Sequence, residues 1–231
     1  MIEDFKKQHP RVKVCEFETE IFNSKIGPIE ISADRTPGPV SKLTGRSSVS
    51  PFRRMRNVAQ AIVDRDIYCL ESINFIPKVF VDIGSGPSGS VALKAHYLWP
   101  DCKVFSVEPN VNLNYLNNLL GKKNIYVEPS PVAGFYGNKA CDLYFPREMN
   151  ARERRLNNPL NLSVQTFLTK YNIDKIDVLK IDCEACEVGI LTEMEHLGIL
   201  QDIKVITGEW HWEFSRFHVN ELLKDTHNIK W

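Results

Sequence analysis

The stretch KVFVDIGSGPSGSVALKAHYLW, from Lys78 to Trp99, decides how the rest of the chain is read. It opens as a short β-branched run that ends at Gly84. It closes as a helical pattern, with Ser88 as the expected cap and Pro100 as the stop. Between them, Gly84, Gly86 and Gly89 form G-x-G-x-x-G at a strand-to-helix turn. Alone the pattern also suits a tight turn with no ligand. Between a strand and a helix it points to a nucleotide-type cofactor, because glycines admit close backbone approach and a helix start offers N–H groups.

Outward from this unit, strands and helices alternate. CKVFSVEPN is a second strand, NVNLNYLNNLLG a helix ending at Gly121, and NIYVEPS a third strand. Weaker strands are expected at PVAGFYG and CDLYF, then a polar loop over 146–162 and a short helix at SVQTFLTKY. KIDVLKID is a fourth strand, CEVGILTEMEHLGIL a helix, IKVITGEW a fifth strand and SRFHVNELLKD a last helix. Such alternation implies parallel βαβ units with right-handed crossovers. The expected fold is α/β, a doubly wound, mostly parallel sheet with ligands outside the carboxyl ends of its strands.

Upstream, VKVCEFETEIF and GPIEIS read as a hairpin or edge strands, followed by a Pro-, Gly- and Ser-rich loop and a helix over PFRRMRNVAQAIVDRDIYCLESI, with Met55, Ala59, Ile62 and Val63 as its apolar stripe. The chain divides into an N-terminal extension, 1–75, and a main domain, 76–231. Lys+Arg and Asp+Glu each number 29, so net charge singles out no partner. Charge is local instead. Arg35, Lys42, Arg46, Arg53, Arg54 and Arg56 fall in an acid-free run, and Arg147, Arg152, Arg154 and Arg155 form a second cluster. They read as solvated surface or as a grip on an anionic substrate, including nucleic acid. The first 30 residues show no signal-peptide core and no run is apolar enough to span a membrane, so the expected location is the cytoplasm, with free thiols.

Which cofactor the loop takes is a question of charge. A dinucleotide would bring a pyrophosphate toward Asp82, and Pro87 removes one N–H donor. S-adenosylmethionine carries an ammonium and a sulfonium and no phosphate, and suits VDIGSGPSG better. Glu108 ends the second strand about twenty residues after the loop, where a carboxylate accepts ribose hydroxyls in either cofactor. Pro109 then turns the chain away.

VFVDIGSGPSG, VFSVEPNVNLNYLNN and IDVLKIDCEACEVGIL together resemble the FkbM family of S-adenosylmethionine-dependent methyltransferases. Glu108, Pro109, Asn110, Leu116 and Asn117 match one family signature, and Lys180, Asp182, Glu184 and Glu187 another. Glu209 and His211 stand where the family's fifth strand often ends in Glu-x-His. The likeness covers about 78–215. Ala185 departs from it, replacing a glycine, and the reversed hairpin that closes a full methyltransferase sheet is either absent or replaced by the N-terminal strands. The resemblance implies a Rossmann-like fold and methyl transfer to a hydroxyl on a small molecule such as a sugar or natural product. An RNA cap, 2′-O or nucleotide methyltransferase and a non-catalytic cofactor-binding scaffold are the alternatives.

The expected cofactor residues are Asp82, Gly84, Ser85, Gly86, Gly89, Glu108, Pro109 and Asp182. The expected catalytic residues are Asp182, Glu184, Glu209 and His211, with His211 as general base oriented by Glu209 or Asp182. No metal is assigned. Cys183 and Cys186 have C-x-x-C spacing but no second Cys or His pair, so the carboxylates of DCEACE, not its thiols, are the expected functional groups.

Overall fold

The computed structural model describes residues 1–12, 14, 16, 18–32, 51–133, 162–183, 186–210 and 213–230. The expected strands in PVAGFYG beyond 133 and in CDLYF, and most of the 146–162 loop, lie outside them.

A short helix, α1 (Ile2–Gln8), precedes an antiparallel hairpin, β1 (Thr19–Ser24) and β2 (Gly27–Ser32). Next come α2 (Pro51–Val63) and a 3-10 turn at Leu70–Ser72. Helix α2 stops at Val63 rather than running on to Ile73 as expected, because the chain turns through left-handed backbone at Asp66 (φ +53) and Cys69 (φ +54). The main domain then runs β3 (Val79–Ile83), α3 (Ser90–Leu98), β4 (Lys103–Val107), α4 (Leu113–Leu119), β5 (Ile125–Glu128), α5 (Val164–Tyr171), β6 (Val178–Ile181), α6 (Glu187–His196), β7 (Val205–Gly208) and α7 (Glu213–Leu223). The five strands β3–β7 form one parallel sheet in the order β5-β4-β3-β6-β7. The doubly wound α/β fold expected from the strand–helix alternation is therefore present. The order reverses between β3 and β6, so a crevice opens there at the strands' carboxyl ends.

Strand alternation sends side chains to two faces. Phe80, Val104 and Val178 pack with Val91, Ala92, Tyr115 and Leu116 on one face. Phe22, Ile29, Ile31, Met55, Ala59 and Val63 of the N-terminal segment belong to the same cluster, so the extension shares a core with the sheet. Val81, Ile83, Phe105, Leu179 and Ile181 face the other way, toward Phe167, Ile190, Leu191 and Val219.

Local chemistry accounts for the element ends. Ser163 Oγ accepts from Thr166 N (3.0 Å) and Asn112 Oδ1 from Tyr115 N (2.8 Å), capping α5 and α4. Ser88 is not the cap of α3. That position belongs to Gly89, with no side-chain cap, and the Ser88 hydroxyl instead meets Ser90 Oγ at 2.6 Å. Gly89 is left-handed (φ +63), and a Cβ there would come 2.8 Å from Leu119, so helix packing favours glycine over a serine cap. The helix α1, unforeseen in the sequence, is short, and only Phe5 is buried along it, so its periodicity is weak.

The N-terminal hairpin pairs only within itself and does not join the main sheet. Asparagines attach it to the domain. Asn118 Nδ2 donates to Glu30 O (2.8 Å) and Ser88 O (2.9 Å), while its Oδ1 accepts from Glu30 N (2.9 Å). Asn114 reaches Thr19 Oγ1 (2.7 Å) and Asn117 reaches Glu30 Oε2 (2.9 Å). Among the described residues no helix is long and apolar enough to cross a membrane. Replacing Asn118 by Ala removes three of these bonds and leaves the buried Ser88 carbonyl and the half-buried Glu30 backbone unpaired. The expected loss is about 2 kcal/mol, read from the urea unfolding midpoint at unchanged slope.

Candidate active site

The site is built on one row of the sheet. Register places Ser106 of β4 beside Asp82 of β3, Asp82 beside Lys180 of β6, and Lys180 beside Thr207 of β7. Each is the penultimate residue of its strand. Four polar side chains thus cross the sheet just below its carboxyl rim.

Asp82 is fully buried. Its Oδ2 accepts from Ser85 Oγ (2.6 Å), and Lys180 Nζ stands 3.2 Å from its Oδ1 as an ion pair. Burial pushes the Asp82 carboxyl up from its ordinary range, against the pull of Lys180. Lys180 Nζ also donates to Gly84 O at 2.5 Å. Ser106 Oγ donates to Ser85 Oγ (2.7 Å) and meets Tyr115 Oη at 2.8 Å. The row is therefore the floor of the glycine loop.

The loop itself is left-handed at Gly84 (φ +78) and Gly86 (φ +73). A Cβ at Gly84 would lie 1.8 Å from Asp182 O, because the loop presses on the end of β6. A Cβ at Gly86 would meet nothing within 4 Å, so the loop's outer side faces open space. Its N–H groups are largely engaged. Gly84 N and Ser85 N both donate to Val107 O (3.0 Å each), Gly89 N donates to Gly86 O (3.2 Å), and Gly86 N donates to Glu108 Oε2 (2.9 Å). Glu108 Oε1 accepts from Asn110 N (2.7 Å). Burial raises the Glu108 carboxyl's affinity for a proton, opposed by these two N–H groups. Pro109 is exposed on the rim beside it.

Asp182 follows β6 at the other side of the crevice. Its N donates to Ile83 O (3.0 Å), and its Oδ2 accepts from Tyr68 Oη (2.6 Å) and lies 3.9 Å from Lys180 Nζ. Glu209 is exposed just past β7, with its N on Ile181 O (3.1 Å). Asp82, Gly84, Ser85 and Asp182 are thus joined through Lys180, and Gly86 is joined to Glu108. Glu184, Ala185 and His211 lie outside the described residues. Among the described residues no group of three or more His, Cys, Asp or Glu is placed to hold a metal ion.

The match to a known family meets this geometry at its centre. The family model for the methyltransferase FkbM domain matches residues 82–228, from the buried aspartate to beyond α7. The chain belongs to the FkbM methyltransferase family. No match was found among curated proteins. The FkbM domain begins at Asp82, so Tyr68, which touches Asp182, precedes it.

Sequence reasoning missed Tyr68 and the floor role of Lys180. Lys180 had a signal: a lysine inside a strand buried on both faces must be paired. The polar penultimate residues of VFVDI, KVFSV, VLKI and VITG together spell the row. Tyr68 had none, because nothing local ties it to a residue just past β6.

Glu187, the first residue of α6, accepts at Oε1 from Cys183 N (3.3 Å). A hydrogen bond with the Cys186 thiol, then burial, pushes the Cys183 thiol well above its usual range. Burial pushes Cys102 up to about 12. Of the basic residues, Arg56 pairs with Glu20 of the hairpin. Arg35, Lys42, Arg46 and the Arg147–Arg155 cluster lie outside the described residues, as do the side chains of Arg53 and Arg54.

Two measurements probe this construction. Gly84→Ala forces a methyl into Asp182 O and should cost about 3 kcal/mol or more, whereas Gly86→Ala should cost only the left-handed backbone, about 1–2 kcal/mol. Thermal unfolding of both variants orders them. With iodoacetamide at about pH 8, the exposed Cys69 should be alkylated in the native protein, and the buried Cys102 only after unfolding, as read by peptide mass mapping.

Proposed function

We propose that this FkbM-family methyltransferase uses S-adenosylmethionine and methylates a hydroxyl on a small molecule such as a sugar or natural product. The observation that carries the donor assignment is the state of the glycine loop. The N–H groups of Gly84, Ser85, Gly86 and Gly89 are already bonded within the protein, and Pro87 has none. Little remains to cradle a pyrophosphate. Two buried carboxylates, Asp82 and Glu108, flank the loop and further disfavour a polyanion. A cationic, phosphate-free nucleoside suits this setting, and the open space before Gly86 admits its close approach.

In this reading Glu108 keeps lone pairs for the two ribose hydroxyls while the N–H groups of Gly86 and Asn110 hold it still. Asp82 acts from the floor, through Ser85 and Lys180, by keeping the loop in shape. Asp182 and Glu209 occupy the rim across the crevice, where the acceptor approaches. S-adenosylmethionine supplies an electrophilic methyl on a sulfonium. The protein's part is to align the acceptor oxygen and take up its proton, with His211 as base oriented by Glu209 or Asp182, and Glu184 as a further catalytic carboxylate.

Calorimetry with S-adenosylmethionine and with NAD tests the donor; binding of NAD alone would overturn it. Glu108→Ala, which removes both ribose acceptors, should weaken S-adenosylmethionine binding at least about tenfold. Labelled S-adenosylmethionine offered with sugars, nucleotides and capped RNA identifies the acceptor class, and labelling of RNA alone would replace the small-molecule assignment. His211→Ala should leave donor affinity unchanged and lower kcat about 100-fold.

A further inference from the structure

We propose that Tyr68, which precedes the matched domain, is a positioning residue of the methyl-transfer site: its hydroxyl, donated to Asp182 Oδ2 at 2.6 Å, fixes the rotation of that carboxylate at the rim of the crevice. The proposal rests on the reading that Asp182 lies at the reacting end of the site.

Three sets of contacts carry it. The first holds the ring. Tyr68 is 8% exposed, Lys180 Nζ sits 5.1 Å from its ring centroid, and its backbone oxygen accepts from Thr207 Oγ1 at 3.0 Å. Tyr68 is therefore clamped to the polar row at both ends. The second holds the loop that carries it. Asp66 (φ +53) and Cys69 (φ +54) flank Tyr68 in the left-handed region, which non-glycine residues enter at a cost and keep only when their surroundings impose it. Those surroundings are specific: the Asp66 carboxylate accepts from Leu70 N (3.0 Å) and Glu71 N (2.9 Å).

The third set ties this loop to the glycine loop. Lys94, on the helix that the glycine loop begins, is buried, and its Nζ donates to Asp66 Oδ1 (2.6 Å), Val63 O (2.9 Å) and Ile62 O (3.2 Å). The ammonium closes the end of α2 and fixes the turn into Tyr68. A continuous set of contacts thus runs from α3 through Lys94 and Asp66 to Tyr68 and Asp182.

Burial, and then the negative charge of Asp182, raise the phenol's pKa well above its ordinary value, so the hydroxyl is a donor throughout the working pH range. Lys180, Asp82 and Glu209 are the other charged groups that act on it. A tyrosine needed only for packing would find any backbone carbonyl for its hydroxyl. This one gives it to a carboxylate at the mouth of the site.

The test uses the whole 231-residue chain and the acceptor returned by the labelled screen. Tyr68→Phe keeps the ring and removes the hydroxyl. It should lower kcat about tenfold or more, with acceptor KM and S-adenosylmethionine Kd within about twofold of the parent values. Tyr68→Phe/Asp182→Asn should be no slower than Asp182→Asn alone, because both changes break one contact. An unchanged kcat in Tyr68→Phe, or losses that multiply in the double variant, would overturn the proposal. A second measurement needs neither acceptor nor donor. With 13C-labelled tyrosine, the Tyr68 Cζ resonance should move in Asp182→Asn, and an unmoved resonance overturns the contact itself. If the parent protein fails to bind S-adenosylmethionine, the donor assignment falls, and the resonance still decides whether Tyr68 holds Asp182.

Discussion

The buried ion pair between Asp82 and Lys180 is the constraint around which the site is arranged. Neither charge can stay in the sheet alone. Removing one partner of such a pair typically costs about 3–5 kcal/mol, because the other is left uncompensated. Each member therefore requires the other and, with it, the register that sets β3 beside β6. Each also has further partners: Asp82 takes the Ser85 hydroxyl, while Lys180 takes Gly84 O and lies near Asp182. The pair thus sets the height of the glycine loop over the sheet and draws Asp182 toward the same point. A hydrophobic pair could fill the space, but it would not orient the loop.

The N-terminal segment has two tasks around this centre. It covers one face of the sheet with apolar side chains, and it carries a tyrosine to the rim. Polar contacts keep both tasks in register with the domain. Asn118 holds the hairpin against Ser88 at the glycine loop, and Lys94 holds the α2 end against the helix that follows that loop. Both anchors come from main-domain helices next to the glycine loop, so the segment is fixed closest to where the site lies.

Much of this was legible in the residues. The β-branched runs, the glycines after the first of them and the stops after each helix pointed to parallel βαβ units, because period and turn chemistry act over a few residues. The same short range made Gly84, Gly86 and Glu108 readable as neighbours of one loop. Errors fell where two distant segments compete for one position. Ser88 looked like a cap, but Leu119 packs against Gly89 and the helix starts there instead. Helix α1 was invisible because it buries one side chain along its length.

The sequence by itself determined the fold class, the position of the crevice and the family, since each depends on patterns repeated along the chain. Only the tertiary structure decided that Asp82 points into the floor of the loop and that most of the loop's own N–H groups are taken. It alone decided, too, that a phenol fourteen residues ahead of the matched domain meets a carboxylate on the fourth main-sheet strand's rim. The reason is physical. Periodicity reports which face of an element is buried, while the partner of a buried charge or hydroxyl is chosen by strand register and by the docking of segments far apart in the chain. Those choices become visible only once the chain has closed on itself.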